Sequence, residues 1–255
     1  MTPQERRAAL VEVGALFLLT LLAIRVVVEI HQLGPGGWVW DVVLVGVPLL
    51  FMWTPVWSCR LRGADPWAYP MAVPDWPWRD PTSRREWSDA LRLGGGFALA
   101  LTLPFWGGYH LWQVYLVPIV EQTLAVDLYR PDPVFAWRLP PDLGLLVPYH
   151  LFFVAIPEEI FYRGYLQTRL DEVFPPTVQV FGAKLGWGFA LTCLLFAFGH
   201  SIVLFQWWHV FIVFPSLVFG WMRARTGGFL AGAIFHAWCN VVVQILDHLY
   251  GIGLS

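Results

Sequence analysis

Charge is scarce in this chain: 13% of its 255 residues are Asp, Glu, Lys or Arg, about half the share of a soluble domain. That shortage excludes an ordinary water-soluble globule. Cysteine is scarce too. Cys59, Cys193 and Cys239 have no C-x-x-C spacing, which excludes a disulfide framework and a cysteine zinc site and leaves three free thiols. The net charge is −2, and no basic stripe with interleaved aromatics occurs, so nucleic acid is excluded as a partner. Also missing are a G-x-S-x-G elbow, an H-E-x-x-H helix and a phosphate-cradling glycine loop. Gly94-Gly95-Gly96 opens an apolar stretch without a preceding strand and reads as helix packing.

What is present is apolar. Hydrophobic residues make up 57% of the chain, and the mean hydropathy is +0.57. Sixteen Trp and twenty Pro accompany them. Tryptophan collects at bilayer–water interfaces, and proline is tolerated in membrane helices whose neighbours satisfy the freed carbonyls. A spanning helix needs about 20 mostly apolar residues. Seven stretches qualify, near 8–30, 37–58, 91–120, 143–168, 182–205, 207–223 and 228–250. Pro104 and Pro118 allow the third to kink or break, giving an eighth span. The expected fold is all-α: a polytopic integral membrane helix bundle of about seven (7–8) transmembrane helices. It forms a single domain over 1–255, with a core at 143–250 and N-terminal helices over 8–120. Residues 8–30 read as a first membrane helix and not a signal peptide, because Glu12 and Arg25 interrupt the run and no small-residue cleavage site follows. The C-terminal Gly-Ile-Gly-Leu-Ser has no prenylation cysteine.

Arginine asymmetry predicts an orientation. Arg6 and Arg7, then Arg60, Arg62, Arg79, Arg84, Arg85 and Arg92, then Arg169 and Lys184, and finally Arg223 and Arg225 fall on one side. Arg130 and Arg138 alone fall on the other. The N-terminus is expected to be cytoplasmic, with 59–90 as a cytoplasmic loop lying on the headgroups. The single lysine, Lys184, among sixteen basic residues fits a GC-rich bacterial genome and hence a bacterial inner membrane.

Against this background, polar groups in the apolar spans stand out. A charge at the bilayer centre costs about 2.5–3.5 kcal/mol on insertion scales, and such groups usually face an interior or a watery cavity. They fall in three blocks: Pro157-Glu158-Glu159-Ile160-Phe161-Tyr162-Arg163, Phe196-Ala197-Phe198-Gly199-His200, and His236-Ala237-Trp238-Cys239-Asn240. Successive helical side chains point about 100° apart, so Glu158 and Glu159 face different ways. Glu159 and Arg163, four apart, pair on one face. Glu158 is left for chemistry, near Tyr162 and Tyr165. Pro157 frees the carbonyl of Phe153 and bends the helix. His236 and Asn240 share a face of the last helix, behind the small residues Gly227-Gly228 and Ala231-Gly232-Ala233 that permit close helix contact. Alone, the first block reads equally well as packing, and the other two read better as packing. Taken together they are complementary: a glutamate to take a proton from water, a histidine to share that water, and a second histidine and an amide to donate to an oxyanion. The set predicts hydrolysis of an acyl bond. His31, His110, His150, His209 and His248 are assigned to interfaces or packing.

The ordered patterns E-E-x-x-x-R, F-x-x-x-H and H-x-x-x-N resemble those of the CPBP family of intramembrane proteases, which includes the CAAX prenyl endopeptidases and bacterial bacteriocin-processing relatives. Here they read Glu158-Glu159 to Arg163, Phe196 to His200, and His236 to Asn240, and the likeness covers about 148–245. The resemblance implies that Glu158 and His200 activate water, that His236 and Asn240 form an oxyanion hole, and that Glu159, Arg163 and Phe196 support them. It implies a protein or peptide substrate held in the lipid bilayer, cut near its membrane-associated end. A C-terminal sorting anchor, as in the myxosortases, is the substrate expected of a bacterial member. No cofactor or metal is expected. A zinc-dependent prenyl protease with a two-histidine, one-carboxylate site is one alternative. A non-enzymatic scaffold or immunity protein is another. Loop positions set Glu158 and His200 roughly 10 Å apart in depth at about 1.5 Å per residue, so the fifth span must start late or tilt.

Overall fold

In the computed structural model, which describes residues 1–126, 128 and 134–252, Thr2 sets the start of the first helix. Its hydroxyl accepts from Glu5 N, the Glu5 carboxylate accepts from Thr2 N, and Pro3 follows at the first helical position. This capping box satisfies two otherwise orphaned donors. Helix α1 then runs Pro3–Leu33, and α2 runs Val42–Leu61 after a one-turn helix at Trp38–Asp41. Helix α3 covers 81–124 without a break and contains two π-helical turns, Leu91–Gly95 and Trp112–Leu116. Pro104 lies inside it and ends nothing. Helix α4 is Leu143–Val173, α5 Trp187–Val203, α6 Val213–Thr226 and α7 Leu230–Tyr250. Arg130, counted on the minor side of the arginine asymmetry, lies outside the described residues.

The protein is a helical membrane protein. Four helices, α1, α2, α4 and α7, are long and apolar enough to cross a bilayer. Helix α5 is apolar but has 17 residues, and α6 has 14. The sequence expectation of seven or eight spans therefore rests on α3, α5 and α6 in addition to these four. Leu18, Leu19 and Leu22 on α1, Leu99 and Leu103 on α3, and Leu194 and Phe198 on α5 stay exposed, as lipid-facing side chains do.

Ahead of α5, residues 178–185 form a hairpin. Strand β1 (Val178–Val180) pairs antiparallel with β2 (Ala183–Leu185), placing Gln179 opposite Lys184. Its two-residue turn, Phe181-Gly182, has positive φ at both positions, which the twist of a tight hairpin requires. The indole of Trp221 on α6 donates to Val180 O at 3.0 Å. The apolar stretch read from 182 thus yields a helix only from Trp187, the late start that the depth of His200 demands.

Helix α4 is irregular where it carries Glu158. Residues His150–Ala155 and Ile160–Gln167 are π-helical, and Ile156–Glu159 between them is α-helical. Pro157 supplies no N–H, and the Ile156 N–H reaches back five residues to Leu151 O. The bend expected of Pro157 is expressed as this change of hydrogen-bond register, a feature frequent at functional sites.

The core forms where α4, α5, α6 and α7 meet, with α1 against α5 and α2 against α4. Its largest fully buried side chains include Arg163, Tyr162, Tyr165, Phe161, Phe196 and Phe219. Close approach depends on glycine. A Cβ on Gly94 would lie 2.5 Å from Ala231 O, so α3 meets α7 there, whereas Gly95 and Gly96 border open space. The polar connection expected over 59–90 is shorter, 62–80, because α2 runs to Leu61 and α3 starts at Pro81 behind its Asp80 cap; it carries stacked Trp76 and Trp78 (5.1 Å) and exposed Trp67. Asp80 caps α3 by accepting from Ser83 N and Oγ, which holds its carboxyl below the usual range.

Candidate active site

Glu158 is carried inward by the α-helical turn between the two π-helical segments of α4. Its Oε2 lies 4.0 Å from His200 Nε2 on α5 and 3.9 Å from His236 Nε2 on α7. The carboxylate is 14% exposed, and Oε2 has no hydrogen-bond partner. Three helices thus bring three polar atoms to one point.

Each imidazole is fixed through its other nitrogen. His200 Nδ1 lies 2.9 Å from Phe196 O, one turn back on α5. A carbonyl accepts, so this nitrogen carries the proton and Nε2 offers a lone pair toward Glu158. His236 Nδ1 lies 3.3 Å from Glu159 Oε1, and by the same reasoning Nδ1 donates. With both rings neutral, Glu158 Oε2 and the two Nε2 atoms would be three acceptors facing one another with no proton between them.

Glu159 and Arg163 form the floor. Both are fully buried, and Arg163 Nε lies 3.2 Å from Glu159 Oε2, an ion pair without the alignment of a hydrogen bond. Arg163 Nη2 donates to Ser216 Oγ at 3.0 Å and is 3.3 Å from Ser216 O on α6. Its guanidinium sits 4.8 Å from the Phe196 ring and 5.8 Å from that of Phe219, within cation–π range. The Phe196 ring also meets His200 at 4.8 Å and His236 at 5.5 Å. Phe219 stacks on His236 at 4.8 Å with 17° between planes. Gly232 makes room, since a Cβ there would lie 3.0 Å from Glu159 Oε2.

Of the residues singled out from sequence, Glu158, Glu159, Arg163, Phe196, His200 and His236 therefore meet in one cluster. Asn240 follows His236 by one turn, half-buried, and its amide has no hydrogen-bond partner among the described residues. Tyr162 is buried against Phe196 at 4.8 Å. Tyr165 departs from expectation. Its hydroxyl donates to Glu12 on α1 and lies 3.0 Å from Ser58 Oγ on α2. The π-helical turn after Glu159 changes the angular step along α4 and carries this ring away from Glu158.

Glu12 is itself a hub. It pairs with Arg62 at 3.0 Å and with Arg169 at 3.0 Å, and accepts from Ser58 Oγ at 2.7 Å. The first two helices are so tied to the far end of α4. Sequence reasoning missed Phe219 and Ser216. Ser216 gave a faint signal as a hydroxyl in an apolar run. The His209 ring lies 5.8 Å from that of His200, a packing contact of the kind expected for it. His150 Nε2 pairs with Gln244 at 2.7 Å and His31 Nε2 with Asp41 at 3.1 Å, in keeping with packing roles. Cys59, Cys193 and Cys239 are free.

Two imidazoles and a carboxylate have the donor chemistry of a zinc site. The geometry does not fit. Tetrahedral bonds of about 2.0–2.1 Å set neighbouring donors about 3.4 Å apart, closer than the 3.9 and 4.0 Å seen here. Among the described residues no group of three or more His, Cys, Asp or Glu side chains is placed to hold a metal ion.

Compared with known protein families, residues 140–242 match the model described as type II CAAX prenyl endopeptidase Rce1-like. The N-terminal helices α1 to α3 lie outside the match. No curated protein matches the chain, and no solved structure does.

Proposed function

Taking as premise that residues 140–242 place this chain in the CPBP family, as a type II CAAX prenyl endopeptidase Rce1-like protein, we propose a glutamate-based, metal-free hydrolysis of a peptide bond at the junction of α4, α5 and α7. Family membership makes the chain an intramembrane endopeptidase in general terms. The mechanism and substrate are our reading. The observation that carries it is the convergence of Glu158 Oε2 with two imidazole Nε2 atoms at 3.9 and 4.0 Å. A water about 2.8 Å from two such atoms spans about 4 Å when they subtend a right angle at it.

Glu158 accepts a proton from that water while His200 Nε2 holds it in line. The resulting hydroxide attacks the substrate carbonyl carbon, and the C=O electrons move to oxygen. The developing oxyanion needs donors. The free amide of Asn240 is one. His236 is the other when its ring is protonated. Glu158 then returns its proton to the leaving amine as the C–N bond breaks. Glu159, Arg163 and Phe196 keep both rings oriented.

The substrate class follows from the site's place among lipid-facing helices: a protein or peptide whose scissile bond lies near its membrane-held end. For a bacterial inner-membrane protein with its N-terminus in the cytoplasm, a C-terminal sorting anchor fits better than a prenylated tail. The test is to reconstitute the purified chain in proteoliposomes with a C-terminally anchored reporter. A new product that persists in the presence of a zinc chelator is expected. Loss of cleavage on chelation, restored by zinc, would overturn the metal-free mechanism.

A further inference from the structure

A cavity of about 970 Å³ lies on the arginine-rich face, away from Glu158 and both catalytic imidazoles. It is bounded by segment 67–74, the first turns of α3, and the turn joining α6 to α7, with Phe229 and the first α7 residues, Leu230 and Ala231, as one wall. Five charged side chains line it: Arg85, Glu86, Asp89, Arg92 and Arg225. Arg85 and Asp89 pair at 3.7 Å across one helical turn. Arg92 and Arg225 have no ion pair among the described residues, and neither does Glu86. The Arg225 guanidinium packs against Gly182 of the hairpin turn. The lining therefore carries one uncompensated positive charge, presented by two guanidinium groups on different helices.

The geometry points to a binding site for the phosphodiester headgroup of an anionic phospholipid. Guanidinium groups match phosphate oxygens in pairs of hydrogen bonds. One spare positive charge complements one phosphodiester. The remaining wall is apolar and aromatic, with Trp67, Val73 and Leu93, as an acyl-glycerol backbone needs. The cavity is built on the connection between two membrane helices, whose exposed Trp67, Trp76 and Trp78 are of the kind that lies at headgroup level. Basic pockets between membrane helices bind anionic headgroups in this way. A soluble peptide carboxylate would need the guanidinium groups but not the apolar wall. A headgroup seated here bridges Arg92 on α3 and Arg225 on α6 beside the start of α7, at the contact where Gly94 meets Ala231. The site stands independently of the proposed catalysis.

The full-length protein, purified in detergent, can be titrated with phosphatidylglycerol and, separately, phosphatidylcholine, with bound lipid counted by native mass spectrometry. Phosphatidylglycerol should bind preferentially. The double variant Arg92→Gln/Arg225→Gln should weaken its binding by roughly tenfold or more, at about 1 kcal/mol per arginine. Arg79→Gln, exposed and outside the cavity, should leave it unchanged. Thermal unfolding checks that the double variant is folded. Should it not fold, Glu86→Gln, which raises the local charge, should tighten phosphatidylglycerol binding instead. Equal binding of the two lipids, or binding indifferent to the lining substitutions, overturns the proposal. Displacement of the lipid by inorganic phosphate, or by a soluble peptide with a free C-terminal carboxylate, overturns the lipid assignment.

Discussion

Glu159 Oε1 lies 3.3 Å from His236 Nδ1, so a fully buried carboxylate on α4 sets the proton position of an imidazole on α7. The other oxygen of the same carboxylate faces Arg163 at 3.2 Å. One side chain thus orients the His236 ring and faces a buried guanidinium. The two consecutive glutamates face different partners: Glu158 turns to His200 and His236 Nε2, and Glu159 to His236 Nδ1 and Arg163.

Removing that carboxylate should cost stability as well as activity. Glu159→Ala leaves Arg163 charged and buried, a loss on the order of 3–5 kcal/mol. Thermal unfolding in detergent should show a clear drop in Tm, and an unchanged Tm would contradict the role given to the pair.

A smaller change at the same place separates geometry from charge. In Gly232→Ala the new methyl sits 3.0 Å from Glu159 Oε2 and 3.4 Å from Phe219 O. The carboxylate must shift, and His236 with it. A misplacement of about 1 Å can cost about 100-fold in rate, so kcat should fall by up to about that factor. KM should change little, because Gly232 faces the interior. A change confined to KM would place Gly232 on the substrate path instead.

The Glu12 network makes a prediction for the N-terminal helices, outside the family match. Glu12→Ala leaves Arg62 and Arg169 without the carboxylate they share. The protein should unfold at lower temperature, and limited proteolysis should cut the 62–80 connection faster. Unaltered protease resistance would show that the network does not hold α1 and α2 to α4.

Much of the cluster was legible because polar residues in an apolar span are costly and therefore stand out. Glu158, Glu159, Arg163, His200 and His236 all stand out in this way, and of the late start or tilt that the depth mismatch between Glu158 and His200 allowed, α5 shows the late start. The remainder was not readable, for physical reasons. The π-helical turns flanking Glu158 arise from hydrogen-bond register, which leaves no residue-type signature beyond Pro157, and they moved Tyr165 to Glu12. Phe219 is one apolar residue among many. His209 lies beside His200 only because residues 204–212 fold back after α5. The hairpin at 178–185 was hidden because three-residue strands are too short to show alternation.

The central claim is tested most directly by Glu158→Gln, which keeps size and polarity and removes the capacity to take a proton from water. Cleavage of a membrane-anchored reporter by the purified variant should fall by about 10²–10⁴-fold, the usual contribution of a positioned general base, with thermal stability near that of the unsubstituted chain. Cleavage within a few-fold of the original rate would contradict the account.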